Sequence, residues 1–164
     1  MTESFDLHSI TADGLEAAVK RAEHYRLLNQ PAEAQSICHD VLAIDPENQQ
    51  VLVVLVLALT DQFETGEASA QQARGYLEGL TNDYQRAYYQ GIISERQGRA
   101  LLRKGPAAAF AYDSFREAME WFEEATEIRP EGNDDAILRW NSCVRTIQDS
   151  NLEPRPVERE LSLE

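Results

Sequence analysis

Hydrophobic residues recur at three- and four-residue steps along most of this chain, and proline or glycine separates many of the runs. Side chains with this spacing lie on one face of a helix, so the pattern predicts amphipathic α-helices joined by short polar connections. The resulting prediction is an all-α chain. The predicted helices cover 11–30, 31–44, 49–62, 68–80, 84–104, 106–128 and 134–149.

Segment 49–62 departs from the amphipathic pattern, because its central run VLVVLVLAL at 51–59 is apolar on every side. Valine alternating with leucine favours a strand by propensity. The segment nevertheless follows a helix stop at Asp45-Pro46 and stands among helical neighbours, which favours a buried helix. A run of nine apolar residues is well below the roughly 20 that span a bilayer, so no membrane insertion is expected.

Two of the predicted helices share a spacing of small residues that suits tight packing. A small residue is followed four positions later by an apolar or aromatic one, then by a small or β-branched one, and a proline ends the helix. These offsets place the three side chains on one face, where a neighbouring helix can approach closely. The pattern occurs at Ala34, Cys38, Val41 and Pro46, and again at Ala118, Phe122, Ala125 and Pro130.

This spacing resembles the second helix of a tetratricopeptide repeat (TPR), a unit of two antiparallel helices. Further matching positions are Ala22, Tyr25 and Asn29 in the first unit and Gly91, Gly98, Phe115 and Glu117 in the third. The middle unit lacks the proline and has Gln72 at the usual aromatic position. About sixteen extra residues fall between the two prolines, near 99–112.

The resemblance implies a right-handed superhelical array of about three TPR helix-turn-helix units plus a C-terminal capping helix. It extends over roughly 15–148. The predicted organisation is a flexible N-terminus at 1–12, a TPR domain at 13–149 and a disordered tail at 150–164. Within that domain the units cover about 15–48, 49–82 and 84–130, and the cap covers 133–149.

Charge and cysteine content narrow the classes of partner and compartment. The net charge of −14 opposes binding to nucleic acid or to an anionic membrane, because both carry phosphate. Cys38 and Cys143 stand far apart in no metal or redox spacing, which suits a reducing compartment. The N-terminus does not read as a secretion signal. The sequence therefore predicts a soluble, cytoplasmic protein.

The sequence offers little chemistry for catalysis or metal binding. His8, His24 and His39 have no signature spacing with each other or with Cys38, so no metal site is predicted. No phosphate-binding glycine loop occurs, and no nucleophile stands beside a base in a known pattern. The glutamates of 117–127 are typical of a solvated helix face. Neither an enzyme nor a cofactor is expected.

A cluster of four basic residues stands out in so acidic a chain. Either these side chains pair with the protein's own glutamates, or they bind an acidic partner or the chain's own tail. The cluster consists of Arg96, Arg99, Arg103 and Lys104.

The TPR resemblance also implies a concave groove that binds an extended or helical peptide, with an apolar floor and charged edges. Its residues would be Val19, Glu23 and Arg26 from unit one, Val53 and Leu57 from unit two, and Tyr88, Ile92, Glu95 and Arg96 from unit three. The Lys/Asn clamp that some family members use for a C-terminal carboxylate is absent, since Val19 and Glu23 occupy its first positions. Peptides of that class are disfavoured.

These features predict a protein–protein interaction module, an adaptor or scaffold whose groove holds a partner peptide or helix. Two alternatives remain. The chain resembles in length and charge the small acidic TPR chaperones of bacterial type III secretion, which hold a secreted client. It could also be a self-assembling structural protein whose groove takes a second copy. A helix of this chain or its tail would be a further cover for the groove.

Overall fold

The computed structural model describes residues 3–156, and within that range the chain forms seven α-helices and no strand. The prediction of an all-helical chain is confirmed for those residues. The helices are α1 Leu15–Leu27, α2 Pro31–Ile44, α3 Gln49–Thr60, α4 Ala70–Leu77, α5 Asp83–Leu102, α6 Ala111–Glu127 and α7 Asp135–Asp149. Two 3₁₀ segments, Ala12–Gly14 and Gly105–Phe110, precede α1 and α6.

Local sequence explains where several helices begin. Side-chain oxygens of Asn48, Ser69 and Asn82 accept hydrogen bonds from backbone N–H groups in the first turns of α3, α4 and α5. Such caps satisfy donors that have no partner within the helix. Pro31 begins α2, where its missing N–H costs nothing. Asn29, with φ of 59°, makes the left-handed turn between α1 and α2.

Helix α3 is a buried helix, as its position among helical neighbours predicted. Its apolar residues are buried on almost every side, and only Val53 and Leu57 among them are partly exposed. Tertiary packing therefore overrides the strand propensity of its valines.

The segment that precedes α6 differs from the prediction of a continuous helix over 106–128. Gly105 has φ of 57°, and residues Gly105–Phe110 form a 3₁₀ helix before the α-helix starts at Ala111. Pro106 has no N–H to donate, and the positive φ of Gly105 breaks the backbone path from α5. Segment 99–112 thus contains the end of α5, this 3₁₀ connection and the start of α6.

Each helix packs against the next one along the chain, and α3 also packs against α1 and α5. This arrangement is an array of helices with two core clusters. The first combines side chains of α1 to α4 with Ile93 and Ala100 of α5. The second lies between α5, α6 and α7. Helix α5 contributes to both clusters and therefore joins the two halves of the array.

Glycine permits a close approach between α5 and α6. A Cβ atom at Gly91 would lie 2.5 Å from Cε1 of Phe122, and one at Gly98 would lie 3.0 Å from Cε2 of Phe115. Both phenylalanine rings are fully buried. The small-residue positions Ala34, Cys38, Ala118 and Ala125 are fully buried too, as the repeated spacing predicted.

The ends of the described chain lie outside the helices. In the predicted N-terminal region, Phe5 and Leu7 are exposed, whereas Ile10 packs against the first core cluster. Of the predicted tail at 150–164, residues 157–164 lie outside the described range. Within that range, Leu152 packs on the second cluster and Arg155 binds Asp113, with 2.7 Å between Arg155 Nη2 and Asp113 Oδ2.

Among residues 3–156, no helix combines the length and the apolar character required to cross a membrane.

Candidate functional site: a cleft with an arginine network

An open cleft of about 510 Å³ lies between α1 and α3, where the start of α5 also contributes. Three apolar side chains of α3 form its floor, and polar or charged side chains surround them together with Leu27 of α1. The lining residues are Glu23, Arg26, Leu27, Gln49, Gln50, Val53, Val54, Leu57 and Gln85.

Four of the nine predicted groove residues line this cleft: Glu23, Arg26, Val53 and Leu57. Val53 and Leu57 are four residues apart on α3 and are partly exposed, although the other apolar residues of the helix are buried. Two apolar side chains one turn apart give a partner a continuous surface on which to pack. The structure therefore brings together two predicted residues of α1 and two of α3.

The other predicted apolar residues lie deeper. Val19 belongs to the first core cluster and Ile92 to the second, and both are almost fully buried. Tyr88 is half-buried, with its ring centroid 5.8 Å from that of Tyr84 and 5.9 Å from that of Phe122. These three predicted positions thus support the helix interfaces below and beside the open surface.

The sequence prediction missed several polar residues of the cleft. Gln49 joins α3 to the α4–α5 connection, because its Nε2 donates to Gly79 O at 3.0 Å and its Oε1 accepts from Thr81 N at 2.9 Å. Gln50 Nε2 donates to Glu23 Oε1 at 2.8 Å, which fixes one edge of the cleft. Leu27, which is 81% exposed, was also missed. Its spacing of four residues from Glu23 was the available signal for Leu27.

Asp61 connects three helices at one end of the cleft. Its Oδ2 lies 2.7 Å from Nε of Arg26 on α1, and its Oδ1 lies 3.4 Å from Nη1 of Arg96 on α5. Asp61 itself follows the last residue of α3. Because Arg26 both lines the cleft and binds Asp61, this ion pair is continuous with the apolar floor.

Glu95 forms a second ion cluster next to the first. Its carboxylate is fully buried; Oε1 lies 3.3 Å from Nη2 of Arg99, and Oε2 lies 3.5 Å from Nη1 of Arg139 on α7. Arg99 Nη2 also donates to Ser142 Oγ at 3.2 Å. The predicted groove residue Glu95 is therefore not open to a partner, and it holds α7 against α5.

The two clusters influence each other electrostatically. Burial lowers the pKa of Arg96, and the nearby carboxylates of Asp61 and Glu95 offset this only in part. Burial acts on Arg139 in the same direction, but Glu95 and Tyr88 outweigh it and raise the pKa of Arg139. Arginine remains protonated near neutral pH, so these side chains stay cationic.

The basic cluster of the sequence pairs largely with the protein's own carboxylates. Arg96 binds Asp61, Arg99 binds Glu95, and Arg103 Nη1 lies 3.0 Å from Glu64 Oε2. Of the two interpretations that the sequence left open, this contact pattern bears out internal pairing for these three arginines, although the partner of Arg96 is an aspartate and not a glutamate.

The cysteines lie in the core, one in each half of the array. Burial raises the pKa of Cys38 to about 12, and burial followed by the charge of Glu95 raises that of Cys143 to about 12. Both thiols are therefore protonated near neutral pH and are poor nucleophiles. In the described part of the chain, no three His, Cys, Asp or Glu side chains group together as metal ligands.

The site as a whole offers two kinds of contact. The floor of the cleft can pack against an apolar side chain, and the arginines at its end can donate hydrogen bonds to an acceptor. Comparison of the chain with models of protein families, with curated proteins and with solved structures gives no match in any of the three.

Proposed function

We propose that this protein is a protein–protein interaction module, an adaptor or scaffold that binds a peptide or helix of a partner in the cleft between α1 and α3. In this proposal the helix array is a three-unit TPR superhelix with α7 as its cap, and the cleft belongs to its concave side.

One observation carries the proposal. Val53 and Leu57 are partly exposed on a helix whose other apolar residues are buried, and they line an open cleft that also has charged and polar side chains. Leu27 adds an exposed apolar side chain at the same place. A concave apolar surface with a few polar groups is typical of a binding site, because partner side chains gain free energy by leaving water there.

The test is affinity capture of partners from the source cell with the wild-type chain and the double variant Val53→Glu, Leu57→Glu. We expect the variant to lose the captured partner, because two carboxylates would stand where apolar side chains pack. The matched control is Ile128→Glu, Leu138→Glu, which changes two exposed apolar residues outside the cleft. All three proteins must show the same helical circular dichroism.

The outcomes separate the candidate functions. A folded partner lost only by the cleft variant supports the adaptor, and an unfolded client lost in the same way indicates a chaperone. Capture of the chain by itself indicates self-assembly. A partner that both variants retain equally places the binding surface elsewhere and contradicts the proposal.

A further inference from the structure

The arginine network, which reaches the cleft through Arg26, carries more positive than negative charge. Four guanidinium groups contact two carboxylates, which leaves an excess of two positive charges inside a chain of net charge −14. The carboxylates lie deeper: the Asp61 side chain is 19% exposed and that of Glu95 is fully buried. The arginines, between 24% and 39% exposed, are Arg26, Arg96, Arg99 and Arg139.

Because the carboxylates lie deeper than the arginines, N–H groups of the arginines remain on the solvent side. Each guanidinium has five N–H groups, and a carboxylate has two oxygens to accept them. Asp61 and Glu95 each serve two arginines. Arg26 and Arg96, which share Asp61, therefore retain donors that can bind a further acceptor at the end of the cleft. A carboxylate from a partner would also offset the local excess of positive charge.

The periodicity of α3 sets the distance between this cationic end and the apolar floor. Val53, Leu57 and Asp61 follow one another at steps of four residues, so they lie along one face of the helix. Four residues of helix rise about 6 Å. A partner that packs on Leu57 can therefore reach the arginines around Asp61 with a group about 6 Å further along.

We propose that the cleft selects partners with a side-chain carboxylate placed one helical turn, or two extended residues, from a large apolar side chain. The apolar side chain packs on Val53 and Leu57, and the carboxylate accepts hydrogen bonds from Arg26 and Arg96. Four helical residues or two strand residues both span about 6–7 Å, which matches the register of α3. This inference rests on the proposed function, because it defines the partner of the same cleft.

The chain itself contains a competing occupant. Phe5 and Leu7 are 84% and 92% exposed, and Glu3 stands two residues before Phe5. The N-terminal segment of a second copy would therefore present the same combination of groups. Self-association through this segment is an outcome that the experiment must recognise.

The test begins with selection from a library of random peptides displayed on phage as N-terminal fusions. Such peptides have no free C-terminal carboxylate, so an acidic preference must come from side chains. With the wild-type chain, we expect enrichment of peptides that place Asp or Glu two or four positions from Leu, Ile, Phe or Trp. The Val53→Glu, Leu57→Glu variant should enrich none of them.

An enriched peptide is then synthesised in two forms, with the acidic residue and with its amide. We expect the amide to bind the wild-type chain about tenfold more weakly, the size of a charged hydrogen bond that is partly exposed. Arg96→Gln should weaken only the acidic form, by a similar factor. The matched control is Arg103→Gln, which removes an equal charge from an exposed side chain and should change neither affinity.

Each other outcome contradicts the inference. Enriched peptides without an acidic residue overturn it and leave the proposed function intact, whereas no enrichment overturns both. Equal weakening of the two peptide forms by Arg96→Gln assigns that arginine a structural role. A concentration-dependent dimer that the cleft variant abolishes, with no enriched peptide, identifies a second copy as the occupant. The comparison of acid and amide uses the wild-type chain alone, so it holds even if Arg96→Gln fails to fold.

Discussion

Gly91 lies under the ring of Phe122, where α5 and α6 approach each other. A methyl group there would lie 2.5 Å from a buried ring carbon, which is far inside normal contact distance. The ring of Phe122 is fully buried, and close packing in protein cores leaves such a ring little room to move. At the scale of single residues, the absence of a side chain thus determines how near two helices can come.

We expect Gly91→Ala to lower the free energy of unfolding by about 1–3 kcal/mol through overpacking, which exceeds the gain in helix propensity. Gly75→Ala is the matched control, since Gly75 is also helical but has nothing within 4 Å of its Cβ position. It should stabilise the protein by up to about 1 kcal/mol. Urea unfolding followed by circular dichroism measures the stability of both variants. Equal unfolding midpoints for Gly91→Ala and Gly75→Ala would contradict the close approach of α5 and α6.

The sequence predicts the close approach of α5 and α6 better than it predicts the cleft. Small residues seven positions apart indicate the packed face of a helix, and Gly91 and Gly98 indeed face phenylalanine rings. Which partly buried side chains remain open to solvent depends on how helices from separate units meet. Glu95 illustrates the limit, because its burial requires Arg139 from a helix more than 40 residues away. No local pattern contains that information.

At the scale of elements, Asp61 joins α1, α3 and α5 through its two arginines. We expect Asp61→Asn to reduce the free energy of unfolding by about 1–3 kcal/mol, because both partners lose a charged acceptor in a partly buried place. The matched control is Glu64→Gln, whose ion pair with Arg103 is largely exposed. Its effect should stay within about 0.5 kcal/mol.

Urea unfolding midpoints compare how much the carboxylates of Asp61 and Glu64 contribute to stability. A loss of stability in Asp61→Asn that does not exceed the loss in Glu64→Gln would show that the three-helix contact adds nothing. If both variants fold, they can also be compared in binding experiments, because Asp61 positions the two arginines at the end of the cleft.

The helices themselves could be predicted from local sequence, but not every boundary. Helix α3 follows from its place between stops at Pro46 and the polar loop after Thr60, in spite of its valines. The 3₁₀ segment Gly105–Phe110 could not be distinguished from the first turns of α6, because alanine suits both forms. The backbone conformation of Gly105 determines which of the two forms is adopted. Its left-handed conformation follows from the fold around it.

At the scale of the whole molecule, the array contains two core clusters that share α5, and each cluster contains one cysteine. In helix arrays, stability is roughly a sum of units and of contacts between neighbours. Cys38 lies on α2 between α1 and α3, whereas Cys143 lies on α7 at the end of the array. The two halves need not open together.

We expect Cys143 to react with a thiol reagent at least about tenfold faster than Cys38 in the native protein, because a terminal helix opens at lower free energy. The single-cysteine variants Cys38→Ala and Cys143→Ala, labelled at about pH 8, provide the rates. With pKa values near 12, neither thiol reacts while buried, so each rate reports opening.

Both thiols should react at similar rates in concentrated urea, which serves as the control. Equal native rates with equal urea dependence would instead show that the described helices unfold as one unit.

The raised pKa values of the two thiols also determine how the stability of the fold depends on pH. Each thiol stabilises the fold below its ordinary pKa of 9.0, and this contribution is lost as pH rises towards about 12.

The buried helix α3 also has a consequence for the order in which the ribosome makes the chain. Its run 51–59 is uncharged, free of proline and rich in valine, the kind of segment that aggregates when exposed. Part of its cluster comes from Ile93 and Ala100, which are added more than 30 residues later. At about 5–20 residues per second, the emerging chain lacks that cover for roughly 2–7 s. Slower initiation, which keeps neighbouring nascent chains apart, should therefore raise the yield of folded protein.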